Sequence, residues 1–134
     1  MPTANTTGEQ VLEAGVSGPD GANRLYTVTG AAGVGINVSA GQQQTQTWTF
    51  LVGPTFTRGQ FYRAIGTASI SSQSAILQTT SGNFVLAISS VEADLDDESG
   101  RVEVRVEVYL SSSTGGPQLS VNQLRYWVTV LAQV

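Results

Sequence analysis

The residues best suited to chemistry are the acids Glu92, Asp94, Asp96, Asp97 and Glu98. Asp94, Asp96 and Glu98 alternate, and Gly100 follows them. Calcium takes six or more oxygens, and carboxylates two apart in a turn supply three of them. The run nevertheless departs from a helix–loop–helix calcium loop. That loop needs its glycine one position earlier and a bidentate acid at its end, where Val102 stands. A solvated hairpin tip, charged against edge-to-edge aggregation, accounts for the acids more simply. No metal ligand, catalytic residue or cofactor is assigned. A second acidic pairing, Glu92 with Glu103, has the makings of a glycoside-hydrolase carboxylate pair, which needs two acids about 5–10 Å apart. Glu103 alternates with Arg101 and Arg105, however. Arginine neighbours hold a carboxylate ionised, the opposite of what a general acid needs. A cross-strand ion-pair ladder is the preferred reading.

Most other chemistry is excluded by composition. The 134 residues include no lysine, no histidine and no cysteine. Those side chains supply most nucleophiles, neutral-pH bases and tight metal sites. Serine–histidine and cysteine–histidine catalysis, Schiff-base chemistry, zinc sites and disulfides are all absent. The glycine-rich Gly30-Ala31-Ala32-Gly33-Val34-Gly35 opens no helix and lacks the dinucleotide spacing, so it reads as a strand connection. The chain is therefore expected not to be an enzyme.

Aromatic side chains offer binding instead. Sugars stack on exposed rings flanked by amides and carboxylates, and Gln42, Gln43, Gln44 and Gln46 lie near Trp48. Trp48 and Tyr126 share faces with apolar residues and read as core. Trp127 has polar neighbours and is the better exposed candidate, for a sugar or for a protein interface. The row Thr45, Thr47 and Thr49, with Thr27 and Thr29 as a second row, reads as ordinary β-propensity rather than an ice-binding array.

The elements that must position these groups are strands. The net charge is −4, and all six cations are arginines scattered along the chain. No basic cluster suits nucleic acid or an anionic membrane, and no apolar run approaches the ~20 residues of a membrane span. Residues 1–8 are small and polar and read as a flexible N-terminal arm without signal-peptide character. Strands are expected at residues 10–16, 24–29, 36–39, 44–52, 60–70, 74–79, 84–95, 101–110 and 122–134. Turns are expected at Gly18-Pro19-Asp20-Gly21, Gly53-Pro54, Ser81-Gly82-Asn83 and the acidic tip. Residues 111–117 read as a loop, and the C-terminus, inside an apolar pattern, should be structurally engaged. Tyr62, Ala64, Gly66, Ala68 and Ile70 share one side, their small members suggesting close backbone approach. Phe84, Leu86 and Ile88 point inward, and the apolar phase then slips to Val91, Ala93 and Leu95, placing a β-bulge at Ser89–Ser90. Val102, Val104, Val106, Val108 and Leu110 alternate with a charged outer face.

About eight or nine short strands without helix periodicity predict one antiparallel β-sandwich or jelly-roll domain over residues 9–134, or else a small β-barrel. In composition the chain resembles the lysine-poor, Gly/Ser/Thr/Gln-rich β modules of virions, surface appendages and capsids. That implies a non-enzymatic structural or interaction protein working as a homo-oligomer. The last strand carries apolar residues on both faces, so Trp127 and Leu131, with outward Tyr109, are the expected interface. The alternative is a carbohydrate-binding module, calcium-assisted through Asp94, Asp96 and Glu98. No compartment follows from the sequence.

Overall fold

Alternating side chains make seven antiparallel strands in the computed structural model, which describes residues 1–18, 21–76 and 82–133. They are β1 (Asn5–Gly18), β2 (Gly21–Val38), β3 (Gln43–Val52), β4 (Phe61–Ile76), β5 (Phe84–Leu95), β6 (Val102–Ser112) and β7 (Gln118–Gln133). No helix occurs among the described residues. Sheet one runs β1-β2-β7-β4 and sheet two runs β3-β6-β5, every pair antiparallel. The fold is a β-sandwich and not a closed barrel.

The core follows from period 2. Val102, Val104, Val106, Val108 and Leu110 of β6 are wholly buried. They face Leu119, Val121, Leu124, Tyr126, Val128, Val130 and Ala132 of β7. Both strands are interior to their sheets, which is why their inward positions are the most apolar in the chain. Phe50 packs against Tyr126, with ring centroids 5.0 Å apart. On β4, Gly66 lies against Ala93 and Val91 of β5, so small residues let the two sheets approach at that edge.

Strands are fewer and longer than the breaks in pattern suggest, because bulges carry them through those breaks. Gly30–Gly35 does not end a strand. β2 continues to Val38 with a register shift between Gly33 and Ile36. Gly30 is required there by close approach, since a Cβ would overlap the Tyr126 ring and hydroxyl. Residues 74–76 belong to β4 rather than to a separate strand, and 77–79 of that expected strand lie outside the described residues. A shift between Phe61 and Arg63 turns Phe61 to the core and leaves Tyr62 exposed, reversing the expected phase at that end. The bulge at Ser89–Ser90 stands where expected, between Ile88 and Ser90. Phe84, expected inward, is half-exposed near the start of β5. The loop expected at residues 111–117 is shorter, since β6 runs to Ser112 and β7 begins at Gln118.

Residues 1–8 are tied down. Ala4 N–H donates to Thr49 O (2.8 Å), and Thr49 N–H donates to Pro2 O (3.0 Å). The chain thus starts along the β3 edge of sheet two and passes into sheet one as β1. Of the expected turns, Pro19 and Asp20, and likewise Ser81, lie outside the described residues; the β1–β2 register closes on Gly18 opposite Gly21. Val134 is also outside them, whereas its neighbour Gln133 donates its N–H to Gln60 O.

Candidate functional site: the outer face of the four-stranded sheet

Register assigns the outward residues of sheet one row by row. Gln10, Thr29, Trp127 and Thr67 form one row across β1, β2, β7 and β4. Leu12, Thr27, Thr129 and Ile65 form the next, then Ala14, Leu25, Leu131 and Arg63. On the other side of the Trp127 row lie Thr7, Ala31, Arg125 and Ser69. Leu12 is 73% exposed, Ile65 61% and Trp127 56%, while Leu25 and Leu131 are half-buried. Isolated exposed apolar residues are ordinary, whereas here several lie in adjoining rows on one face. Around Trp127 the face sinks into a shallow depression of about 360 Å³, bordered by Thr29, Thr67, Ser69 and Arg125. Of the expected interface residues, Trp127 and Leu131 share this face.

Tyr109 does not join them. It points out from β6, on the opposite outer face of the sandwich, and its hydroxyl donates to Gln43 Oε1 (3.2 Å). The same alternation that turns Val108 and Leu110 inward turns Tyr109 away from sheet one. The rows Thr45, Thr47, Thr49 and Thr27, Thr29 are separated in the same way, one on each outer face.

That opposite face is polar and mostly self-paired. Glu92 stands across from Arg105 and Asp94 across from Glu103. Arg105 Nε donates to Glu103 Oε1 at 2.9 Å, and this bond raises the guanidinium pKa. Glu107 accepts from the Ser89 hydroxyl at 2.7 Å. Glu103 is thus ion-paired with Arg105, and Glu92 stands across from that same arginine.

At the acidic tip the carboxylates serve the turn. Asp94 Oδ1 accepts from Leu95 N–H (2.8 Å), and Asp96 Oδ2 accepts from Ser99 N–H (3.1 Å). Asp97 takes a two-point contact from Arg58, at 2.8 and 2.7 Å. Hydrogen bonds from Ser99 hold Asp96 below the usual carboxylate range, and Arg58 does the same for Asp97. Among the described residues no three acids gather as a metal ion would require.

Sequence reasoning missed Glu9. Gly8 has φ +63°, and the register slips between Thr7 and Gln10, a bulge that re-aims the next side chain. Glu9 Oε1 accepts from Tyr126 Oη (3.1 Å) and from Gly53 N–H (3.1 Å), and its Oε2 lies 3.7 Å from Arg101. Burial and the Glu9 carboxylate push the Tyr126 hydroxyl pKa well up. The group clamps β1 to β7 and to the ends of β3 and β6. Its acid is held by two hydrogen bonds and a nearby cation, which ties the four strands together. Gly8 followed by an acid in a strand was the one available signal.

Comparison with protein families, with characterised proteins and with solved structures found no match for this chain.

Proposed function

We propose that the protein is a non-enzymatic structural or interaction module that assembles with copies of itself through the outer face of sheet one, as a virion, appendage or surface β domain does. One observation carries the reading. Leu12, Ile65, Trp127, Leu25 and Leu131 occupy three adjoining register rows on the same face. Tryptophan and leucine left in water across a sheet gain about 25 cal/mol per Å² when a partner covers them. A tryptophan in such a patch is a common anchor of an interface.

Light scattering tests this on the intact chain of 14.0 kDa. Assembly is expected at micromolar concentration. Trp127→Ser should lower the mean mass, and Glu103→Ser, on the opposite face, should not. A clean monomer defeats the proposal.

The depression beside Trp127 supports a second reading, a carbohydrate site with the indole as stacking platform and Arg125, Ser69, Thr29 and Thr67 as polar partners. A glycan array that stays blank with and without calcium removes it.

A further inference from the structure

We infer that the apolar face of one copy docks on the charged outer face of sheet two of the next, a head-to-tail contact between unlike surfaces. This rests on the assembly reading above and names the partner surface for it.

Charge carries the inference. The apolar face holds two cations, Arg63 and Arg125, and no acid in any of its rows. Both arginines are exposed, and among the described residues neither has an acid partner. Arg24, Arg58, Arg101 and Arg105 are each paired within the chain. Arg63 stands in the Leu131 row and Arg125 three rows away, about 20 Å along the strands at ~3.3 Å per residue. The two lie toward opposite ends of the apolar rows.

The opposite outer face is the complement. It carries Glu92, Asp94, Glu103 and Glu107 against the single cation Arg105. Glu92 is exposed and accepts no hydrogen bond among the described residues. Beside the charges, half-buried Leu51 shares the Glu103 row, while half-buried Tyr109 and Val85, 48% exposed, occupy the two rows beyond Glu107. These give Trp127 and Ile65 apolar area to cover.

Two arrangements of a second copy compete. Packing the apolar face on itself gathers four arginines and no acid, and like charges brought together oppose binding. Packing it on sheet two brings each copy's Arg63 and Arg125 to a face with an excess of acids. It also brings Tyr109 of one copy to the surface holding Trp127 and Leu131 of another. Using a different surface on each copy, the contact builds a ring if the rotation closes and a filament if it does not.

The experiment reads the sign of the salt dependence and a complementation. Raising salt from ~20 mM to ~500 mM should loosen the wild-type assembly by about tenfold or more in dissociation constant, because screening removes the attraction. Assembly that tightens with salt points to the self-packed face and overturns the inference. R63E/R125E spoils one surface, and E92K/E107K spoils the other. Each variant alone should be monomeric. An equimolar mixture should reassemble into dimers or larger, since one intact surface of each kind remains and the reversed charges also complement each other. If E92K/E107K alone assembles as wild type does, the head-to-tail contact fails while the assembly reading stands. If wild type is itself a monomer, both fail. Should either variant lose its β-sheet circular dichroism, the salt response of the wild type decides alone.

Discussion

The sandwich has two outer faces that obey the same alternation and have been filled in opposite ways. Outward positions of sheet two hold Thr45, Thr47, Thr49, Glu103, Arg105 and Glu107, and the chain satisfies most of their charges itself. Outward positions of sheet one hold Leu12, Leu25, Ile65, Trp127 and Leu131, and its two arginines are left unanswered. The inward faces do not differ in this way, being apolar on both sheets. Folding therefore accounts for the inner faces and for part of the charge pairing on the outer face of sheet two. Folding leaves the apolar outer face of sheet one uncovered, and the assembly proposed above would cover it.

The sharpest way to break the comparison crosses β7 between two adjacent residues. Val128 is fully buried and Trp127 points outward from the same strand. Val128→Asp places an unpaired charge in the core and should destabilise by several kcal/mol, enough to abolish the folded state. Trp127→Ser should leave the far-UV circular dichroism unchanged and move only the mass. If both variants unfold, Trp127 is part of the core and the contrast between the faces is false.

A smaller effect probes what supports sheet one from beneath. Gly30→Ala puts a methyl group onto the Tyr126 ring and hydroxyl, and the tyrosine must move away from Glu9. A loss of about 1–3 kcal/mol is expected from overpacking together with one disrupted, partly buried hydrogen bond. Denaturant titration measures it. Tyr126→Phe in the same chain should recover part of the loss, since the hydroxyl is the nearest atom to the new methyl group. An unchanged midpoint for Gly30→Ala would mean that the bulged region of β2 is loose.

The smallest effect concerns pH. Asp96 and Asp97 sit at the tip of sheet two with carboxyls held below their ordinary value near 3.8. A carboxylate with a depressed folded-state pKa stabilises the fold while ionised. That contribution is complete above the ordinary range and disappears as pH falls through it to the folded value. Asp97→Asn should therefore lower the melting temperature slightly at pH 7. The gap from wild type should close as the solution is brought below about pH 4. Substitutions on the outer face of sheet one, which carries no acid, should show no such convergence. A gap that stays constant down to strongly acidic pH would remove the Arg58–Asp97 pair from the account.

Much of this architecture is legible in local pattern. The strict alternation from Val102 to Leu110 survives intact because β6 is interior to its sheet and one face of that sheet is wet. The phase slip after Ile88 is legible for the same reason: a bulge is the local way to keep apolar residues inward on both sides of an extra residue. Gly30–Gly35 misled because glycine weakens a strand by itself. Here Tyr126, nearly a hundred positions away, fills the space left by the missing side chain of Gly30. Tyr62 and Phe61 exchanged roles because a bulge at the start of β4 shifts the phase by one, and nothing in the short segment before it fixes that phase.

What the residues alone determined is the all-β class, the inward faces, the absence of histidine, lysine and cysteine chemistry, and the excess of apolar side chains on the last strand. These depend on period and composition, which are local. Which outward faces coincide is a property of strand order. β7 lies between β2 and β4 rather than beside β6, so Trp127 and Leu131 join Leu12 and Ile65 while Tyr109 falls on the far side. Glu9 reaches Tyr126 and Arg101 by the same long-range pairing, across 117 positions in the first case. Alternation tells each residue in from out. Only the pairing of distant strands decides which surface an outward residue belongs to, and therefore what that surface can meet.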